Sequence, residues 1–411
     1  MKAIVYTKYG TPDVLELKEV DKPVPKDDEV LIKVSAVSIN DWDYGLLQGD
    51  FPNRMINGLL PKVGVVTDRK PNRRNIFFLS SSTKLNRNKN LMKAIVYTKY
   101  GTPDVLELKE VDKPVPKDDE VLIKVSAVSI NDWDYGLLQG DFANRMINGL
   151  LKPKIKILGS DIAGRIEAVG KNIKKFHVGD EVYGDQSGTW GGFAEYVCAR
   201  ENTIERKPAN MTFEQAAAIP QAGMLAAQGL IDKGRIQSGQ KILVNGAGGG
   251  VGTFAVQIAK LYGAEVTGVD SSEKLDMLRS IGFDHVIDYR KEDFTKSAKR
   301  YDLILDTKTN RSIFDYMRAL TPHGIYVTVG GSLSRLLQAF LLGPLISMIS
   351  KKRISIVALK LNKDLVYMNG LFEAGKIKPV IDGPYKLDEV PKAFRLFVQS
   401  VHKGKMVITV P

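Results

Sequence analysis

A glycine-rich run at residues 244–252, VNGAGGGVG, lies between an apolar strand pattern and the start of an amphipathic helix pattern. In a turn of this kind Gly249 would let the backbone approach a pyrophosphate, and Gly252 would let the helix pack close to the strand. The free N–H groups and the dipole at a helix start favour a bound anion. The sequence therefore predicts a dinucleotide site that is formed by Ala247, Gly249, Gly250, Val251 and Gly252.

An acidic residue, Asp270, ends the next strand pattern, 18 residues after Gly252. Its carboxylate can accept hydrogen bonds from an adenosine ribose, and its charge would repel a 2′-phosphate, which favours NADH. Ser271, Lys274 and Tyr289 lie nearby in the sequence or at the next strand end, and they could instead form a phosphate pocket for NADPH. We therefore expect NAD(P)H as the cofactor, with NADH favoured.

Residues that could bind a metal are few. The chain has one cysteine, Cys198, and four histidines, at positions 177, 285, 323 and 402, in no spacing that suits a metal. A structural or catalytic zinc ion needs a set of closely placed Cys, His or acidic ligands. We therefore expect no metal site, a reaction without a Lewis acid, and a solvent-exposed or structural role for each histidine.

The elements that must position these residues change along the chain. From Met92 to about residue 200, runs such as KAIVYT and EVLIKVSAVS alternate apolar and polar residues, as β-strands do. From Thr212, which resembles an N-cap, helical patterns alternate with apolar strands, as in a doubly wound parallel sheet. Gly330 and Gly331 follow one of these strands, IYVTV, and would let the cofactor approach its end. Strand patterns return after about residue 375.

Several segments in a fixed order, LGSDIAGRIEAVG, VGDEVYG, GGFAEYV, GAGGGVGTFAVQIAK and VIDY, resemble those of the medium-chain dehydrogenase/reductases. More closely, the chain resembles their zinc-free quinone oxidoreductase (zeta-crystallin-like) branch, over essentially all of residues 92–411. The resemblance implies an α/β protein with a GroES-like β-barrel domain at residues 92–211 and 375–411. It also implies a Rossmann domain at residues 212–374, with the active site in the cleft between the two.

The resemblance also implies roles for particular side chains. Asn131 and Asp134 match an Asn-x-x-Asp motif of the zinc-free branch, so Asn131 would lie in the cleft, where its amide could donate to an oxyanion. The alternative is that Asn131 only forms an Asx turn. Tyr135 could supply a proton, although many relatives have the tyrosine one residue later, at Gly136; otherwise it is a packed tyrosine. Zinc-binding members have Cys and Gly-His-Glu where this chain has Asn131 and residues 159–161, Gly-Ser-Asp.

These observations favour a zinc-free oxidoreductase that uses NAD(P)H to reduce quinones or α,β-unsaturated carbonyls. When a conjugated carbonyl accepts a hydride, the enolate that forms spreads its negative charge over several atoms. This reaction therefore needs less stabilisation by the protein than alcohol oxidation without a metal, which needs a separate base. Two alternatives stay open. One is an NAD(P)-dependent alcohol or aldehyde dehydrogenase, and the other is a non-catalytic, membrane-associated protein that binds NADPH. We expect a small-molecule substrate and a homodimer.

The first 60 residues occur twice, because residues 1–60 and 92–151 differ only at Pro52 and Ala143. We interpret residues 1–60 as a partial duplicate of the GroES-like N-terminus, so that the working chain begins at Met92. Residues 61–91 hold eight Lys or Arg and one Asp, and thus carry +7 of the net charge of +12. We expect them to be a disordered basic linker and not a nucleic-acid site, since no basic stripe is interleaved with aromatic residues.

Two features bear on where the protein acts. Nothing near Met1 or Met92 resembles a signal peptide, and the single cysteine suits a reducing setting, so we expect a cytoplasmic protein. Residues 333–349, LSRLLQAFLLGPLISMI, are the most apolar stretch but are shorter than the roughly 20 residues that a membrane span needs. We predict a buried or lid helix there. A membrane-surface or dimer contact is the alternative, and the following SKKR slightly favours anionic lipid.

Overall fold

The computed structural model describes residues 2–5, 16–19, 91–331 and 333–411. The chain divides into two compact units, Met1–Asn86 and Arg87–Pro411. In the first unit the described residues form two antiparallel strands, β1 (Lys2–Val5) and β2 (Glu16–Glu19). The rest of the predicted duplicate at 1–60, and the predicted linker at 61–91 up to residue 90, lie outside the described residues.

The described residues of the second unit form two sheets and a hairpin. Its strands are β3 (Leu91–Val96), β4 (Glu107–Asp112), β5 (Glu120–Ser129), β6 (Asp161–Val169), β7 (Glu181–Asp185), β8 (Tyr196–Arg200), β9 (Glu205–Arg206), β10 (Lys241–Asn245), β11 (Glu265–Asp270), β12 (His285–Asp288), β13 (Tyr301–Asp306), β14 (Leu320–Thr328), β15 (Arg353–Ile356), β16 (Ile381–Lys386) and β17 (Lys405–Thr409). The predicted start of the working chain, Met92, therefore lies one residue inside β3.

The α-helices of the second unit follow in chain order. They are α1 (Asp132–Gln139), α2 (Phe142–Asn148), α3 (Phe213–Ala218), α4 (Pro220–Ala227), α5 (Gly250–Leu261), α6 (Leu275–Ser280), α7 (Ile313–Ala319), α8 (Leu333–Ile349), α9 (Leu365–Glu373) and α10 (Val390–Val398). Residues Gln228–Lys233 continue α4 as a π-helix. Short 3-10 turns lie at Pro103–Val105, Glu201–Thr203, Ser272–Lys274 and Leu387–Glu389.

The repeated sequence forms the same hairpin twice. In the first unit Lys2 faces Glu19 across β1 and β2. In the second unit Lys93 faces Glu110 across β3 and β4, and these two residues are the repeats of Lys2 and Glu19. Identical residues therefore give an identical register in the two units.

A seven-stranded sheet combines the strand-rich segment with the end of the chain. Its strands lie in the order β16, β17, β5, β6, β7 and β9, and β8 also pairs with β5. Along β5, Val121, Ile123 and Val125 are fully buried and Lys124 is exposed, but Leu122 on the other face is also buried, so the alternation seen in the sequence matches the burial only in part. The last two strands of the chain thus belong to the same sheet as β5, and the domain limits given above stay predictions.

The other sheet is parallel and six-stranded, in the order β12, β11, β10, β13, β14, β15. The strand order reverses between β10 and β13, and that reversal is where doubly wound sheets bind ligands, at the carboxyl ends of the strands. Val244, Leu243 and Leu305 are fully buried in this sheet, which explains the continuous apolar runs in the sequence. The structure confirms the predicted α/β fold, with a GroES-like β domain and a Rossmann sheet.

Helix α3 begins where the sequence predicted it. The Thr212 hydroxyl accepts a hydrogen bond from the Gln215 N–H at 3.2 Å, and the Gln215 side chain accepts one from the Thr212 N–H at 3.0 Å. This reciprocal pair is a capping box. However, α3 packs against β5, β6 and β17 of the seven-stranded sheet, although the sequence assigned residue 212 onward to the Rossmann domain. The domain limits at residues 211 and 375 stay predictions.

Helix α8 contains the apolar stretch singled out above. The sequence predicted a buried or lid helix, and the structure does not bury it fully: Phe340 is 68% exposed, Met348 is 77% exposed and Leu341 is 64% exposed. Ala339 and Gly343, on the opposite side, are buried, and the helix lies on β15. One face therefore packs on the sheet while the other carries exposed apolar side chains. Among the described residues, no helix is both long and apolar enough to cross a membrane.

Candidate active site

A cleft in the second unit collects residues from both sheets. It opens at the carboxyl ends of β10 and β13, the point where the strand order reverses. Its wall includes Ile130, Asn131, Asp132, Gln221, Leu225, Gly246, Gly249, Gly250, Val251, Thr307, Lys308, His402, Gly404 and Lys405. The glycine turn of one sheet and the polar residues that follow β5 in the other therefore face a common space.

The glycine turn has a shape that suits a dinucleotide. Gly246 turns the chain with a φ of 80°, and α5 begins at Gly250. A Cβ at Gly252 would lie 2.4 Å from the carbonyl oxygen of Ala247, so glycine is what lets α5 start this close to the turn. The N–H groups in the first turn of a helix have no acceptors within the helix and can bind an anion. These residues fit the pyrophosphate of a nicotinamide dinucleotide.

Asp270 lies next to this turn. Its Oδ2 accepts a hydrogen bond from the Gly248 N–H at 2.7 Å, and its Oδ1 accepts one from the Ser271 N–H at 2.9 Å. The Lys274 ammonium is 3.6 Å from the carboxylate, with both side chains almost fully buried. Burial lowers the pKa of Lys274, while Asp270 opposes that shift. The structure therefore brings Asp270, Ser271 and Lys274 together, as the sequence proposed for a ribose or phosphate site.

Three other cofactor candidates have defined surroundings. Tyr289 donates its main-chain N–H to the carbonyl oxygen of Asp270 at 3.2 Å, and its side chain is 47% exposed. Gly331 has a φ of 123°, and a Cβ there would lie 2.3 Å from that of Thr309, so this position requires glycine. The carbonyl oxygen of Gly330 accepts a hydrogen bond from the Thr309 hydroxyl. Contact of these three residues with the cofactor stays a prediction.

Asn131 is buried in the turn between β5 and α1. Its Nδ2 donates to the Ser160 hydroxyl at 3.0 Å, and its Oδ1 accepts a hydrogen bond from the Lys405 ammonium. Its main-chain N–H donates to Asp134 Oδ2 at 3.0 Å, and the Gly159 N–H donates to Asp134 Oδ1 at 3.0 Å. Burial raises the pKa of Asp134 to about 7, against the effect of those two hydrogen bonds. Asp134 therefore holds the turn that places Asn131 in the cleft.

Lys405 links Asn131 to a buried carboxylate. Its Nζ lies 3.2 Å from Asp161 Oδ2, with the two side chains 6% and 0% exposed. Asp161 also accepts hydrogen bonds from the Ser129 hydroxyl at 3.2 Å and from the Gln221 N–H at 3.2 Å. A buried ion pair is tolerated only with such additional hydrogen bonds. The sequence analysis did not identify Lys405, because a lysine at the start of the strand KMVIT carries no sign of burial.

Tyr135, the predicted proton source, lies on α1. The Gln139 side-chain amide, one turn further along, donates to its hydroxyl at 2.6 Å. The half-buried ring packs against the core of the GroES-like domain. Asn131 and Asp132, which precede Tyr135 in the chain, line the cleft, whereas Tyr135 does not. The structure thus brings Asn131 to the cleft and places Tyr135 against the core, and a catalytic role for Tyr135 stays a prediction.

His402 is a cleft residue that the sequence analysis interpreted as solvent-exposed or structural. Its ring stacks on Phe397 with the centroids 4.9 Å apart. Burial, and then the charges of Lys274 and Lys308, lower the pKa of His402 to about 4. Among the described residues its Nδ1 has no hydrogen-bond partner. A neutral imidazole with an unpaired nitrogen is available to a bound molecule, although nothing in the histidine spacing signals this.

Comparison with known proteins fits this architecture. Residues 117–209 match the family described as "Alcohol dehydrogenase GroES-like domain", and residues 281–408 match "Zinc-binding dehydrogenase". A "2-methylene-furan-3-one reductase" of Solanum lycopersicum is 36% identical over 329 residues, covering 77% of this chain and 79% of that protein. The chain belongs to the medium-chain dehydrogenase/reductases. This medium-chain dehydrogenase/reductase is an oxidoreductase that uses a nicotinamide cofactor.

Further relatives of this medium-chain dehydrogenase/reductase match a similar part of its chain. The "NADPH-dependent alkenal/one oxidoreductase, chloroplastic" of Arabidopsis thaliana is 33% identical, covering 77% of this chain and 79% of that protein. The solved structure of the quinone oxidoreductase from Coxiella burnetii is 29% identical, with a TM-score of 0.70, and the match covers 78% of this chain and 100% of that chain. Although one matching family is described as zinc-binding, the described residues include no group of three or more His, Cys, Asp or Glu side chains placed for a metal ion.

Proposed function

We propose that this enzyme uses NAD(P)H to reduce quinones or α,β-unsaturated carbonyls. The observation that carries the proposal is that the glycine turn and a charged polar cluster meet in one cleft. A Cβ at Gly250 would lie 3.1 Å from Lys405 Cδ, and Lys405 in turn contacts Asn131. The relatives whose names specify a furanone, an alkenal/one or a quinone substrate support this class of substrate.

The chain supplies binding, orientation and stabilisation of charge. The bound cofactor supplies the hydride, which is its own chemistry. Reduction of a conjugated carbonyl develops negative charge on the carbonyl oxygen, and polar groups fixed in advance stabilise that charge. Asn131 is such a fixed group, because Ser160 and Asp134 hold it. Ile130, Leu225 and Met406 form apolar wall around the cluster and restrict water.

The reaction proceeds without zinc in this proposal. Asn131 and Ser160 bond to each other, and Asp161 is paired with Lys405, so these side chains satisfy one another. Oxidation of an alcohol without a metal would need a separate base to take the hydroxyl proton. Reduction of a conjugated carbonyl has no such need, which favours the reductase over the alcohol dehydrogenase alternative.

For the cofactor, we retain NADH as the preferred form. The support is Asp270, whose carboxylate is held by the Gly248 and Ser271 N–H groups at the end of β11. A carboxylate fixed there accepts hydrogen bonds from a ribose and opposes a 2′-phosphate. The neighbouring Lys274 ammonium, 3.6 Å away, partly offsets the negative charge of Asp270. We therefore expect NADPH to bind more weakly than NADH but not to be excluded.

The proposed function is tested by NADH and NADPH oxidation over a panel of quinones, enones, saturated aldehydes and alcohols. The expected result is turnover with quinones or enones, with the saturated carbonyl identified as the enone product by mass spectrometry. Oxidation of alcohols with NAD⁺, and none of these reductions, would instead establish the alcohol dehydrogenase alternative. Binding of NAD(P)H without turnover of any compound would leave the non-catalytic alternative.

Two further expectations from the sequence remain proposals. The homodimer is supported by β15, which forms one edge of the six-stranded sheet, because such an edge can pair with a second copy. Sedimentation of the purified chain measures this directly. A cytoplasmic location is supported by the single cysteine, Cys198, and fractionation of the source cells would test it.

A further inference from the structure

Building on the proposed reduction of a conjugated carbonyl, we propose that Lys405 is a catalytic residue. Its ammonium group binds the carbonyl oxygen of the substrate and stabilises the negative charge that develops there. Asn131 and Asp161 are positioning residues that hold this ammonium in the cleft. The charge that a metal ion could supply thus comes from a side chain of the protein.

The backbone around Lys405 is fixed against the cofactor turn. The N–H of Gly404 donates to the carbonyl oxygen of Gly248 at 2.8 Å, and the N–H of Lys405 donates to that of Val380 at 2.8 Å. Gly404 has a φ of 79°, and a Cβ there would lie 2.2 Å from the Val380 carbonyl oxygen, so glycine is required for this approach. The position of Lys405 relative to the glycine turn is therefore set by the main chain and not by a flexible loop.

The side chain of Lys405 combines burial with access to the cleft. It is 6% exposed and its stem lies beside Gly250, where an added Cβ would be 3.1 Å from Lys405 Cδ. An ammonium has three N–H donors. In the described structure one of them is donated to Asn131 Oδ1, and Asp161 Oδ2 lies 3.2 Å from the nitrogen as its ion-pair partner, so the ammonium keeps a donor for a molecule in the cleft. The paired carboxylate offsets the cost of burying the cation.

The orientation of the Asn131 amide distinguishes its role from that of Lys405. Because its Oδ1 accepts from Lys405, the oxygen of this amide points to the ammonium, and its Nδ2 donates to Ser160. In this arrangement the full positive charge of Lys405 is the stronger partner for an oxyanion, since charge-assisted hydrogen bonds exceed neutral ones. Asn131 then acts mainly through Lys405.

For an enone, the β-carbon would receive a hydride from a C–H bond broken on the reduced nicotinamide, which would leave as NAD(P)⁺. A new C–H bond forms at the β-carbon, while the C=C π pair moves between the α-carbon and the carbonyl carbon. The C=O π pair moves to oxygen, which carries the negative charge opposite Lys405. The α-carbon then takes a proton from water, which leaves as hydroxide, and the C=O bond is restored. The substrate gains two electrons and two hydrogens, and the ammonium keeps its proton throughout.

The test compares Lys405→Met, K405R and a matched control, Lys403→Met, in which an exposed lysine two residues away is changed. The first readout uses the full chain without cofactor and p-nitrophenol as an oxyanion probe, at a pH where the free probe is mostly neutral. We expect the wild type, Lys403→Met and, more weakly, K405R to bind the yellow phenolate form. Lys405→Met should lose the phenolate absorbance. Phenolate binding that is unchanged in folded Lys405→Met would overturn the proposal.

The second readout is turnover with an enone at saturating NADH. Lys405→Met should lower kcat by about 10²-fold, the scale of a lost oxyanion donor, with part of the loss restored in K405R. The affinity for NADH, measured by fluorescence titration, should change by less than about threefold. A large loss of NADH affinity with kcat preserved would overturn the proposal and make Lys405 a cofactor ligand.

Because Lys405→Met leaves Asp161 unpaired, that variant could fail to fold, which circular dichroism would reveal. In that case the double variant Lys405→Met/Asp161→Asn, which removes both charges, takes the place of Lys405→Met in both assays. We expect the same loss of phenolate binding and of kcat. The two proposals fail differently. A wild type that reduces no quinone or enone contradicts the proposed function, whereas an active wild type with an equally active Lys405 variant contradicts only the role of Lys405.

Discussion

The Lys405 ammonium and the Asp161 carboxylate lie 3.2 Å apart at the first residues of β17 and β6. These strands flank β5, whose last residue, Ser129, pairs with Asp161 in the sheet and donates its hydroxyl to that carboxylate at 3.2 Å. Three strand ends therefore converge where the chain continues into Asn131. This convergence places the buried ammonium of Lys405, and not only the amide of Asn131, beside the glycine turn of the other sheet.

Substitution of Asn131 tests the cleft directly. We expect Asn131→Ala to lower turnover by about 10²-fold, because it removes the acceptor that orients the Lys405 ammonium towards the oxyanion. Cofactor affinity should change little. The repeated sequence provides the matched control, since Asn40 is the copy of Asn131 in the first unit, and Asn40→Ala should leave turnover unchanged. Full turnover in Asn131→Ala would leave that residue with only its role in the turn.

Cofactor preference should depend on Asp270. We expect Asp270→Ser to weaken NADH binding and to improve NADPH binding, because it removes the ribose acceptor and the charge that opposes a 2′-phosphate. The combined change should be about 1–3 kcal/mol, the scale of a hydrogen bond to a charged group. Fluorescence titration with both cofactors measures it. Asp276→Asn, which changes a fully exposed carboxylate nearby, is the control, and equal affinities in Asp270→Ser and wild type would place Asp270 away from the ribose.

Stability in mild acid should depend on His402. Its pKa falls from 6.5 to about 4 in the folded protein, mainly through burial, so the unfolded chain binds a proton more readily. Folding stability that is present above pH 6.5 is therefore lost as the pH falls towards 4, by up to about 3 kcal/mol. We expect His402→Gln to reduce this loss. Urea unfolding at several pH values measures it, with His323→Gln as the control; parallel stability curves for His402→Gln and wild type would contradict the prediction.

Removal of the duplicated segment should leave the enzyme active. A chain that begins at Met92 retains the glycine turn, Asn131 and Lys405. If the first copy instead completed the barrel, about 90 residues would have to loop out, at a cost of about 4 kcal/mol plus a constant. We therefore expect deletion of residues 1–91 to preserve turnover and to improve solubility. Loss of turnover in a truncated chain that still folds would show that the first copy belongs to the working enzyme.

The fold was largely predictable because its signals are local. Thr212 is the expected N-cap of α3, where Gln215 completes a capping box, and the expected glycine turn joins β10 to α5 at residues 246–249. Alternation along β5 predicted the strand itself, although most residues on both of its faces are buried. The exception was α8, for which the apolar composition predicted a buried or lid helix. The structure buries only one side of this helix, and a lid role stays a prediction. Composition reports how apolar a segment is, whereas burial depends on what packs against each face.

The sequence by itself determined the order of elements, the glycine turn and the acidic residue at the end of β11, since each depends on spacing within a short segment. Only the tertiary structure decided that Lys405 contacts Asn131 and Asp161, and that His402 lines the same cleft. These residues come from segments far apart in the chain, and their neighbours in the sequence give no sign of burial. Sheet pairing brings such strand ends together, so the charge and the polar groups of the cleft are properties of the fold.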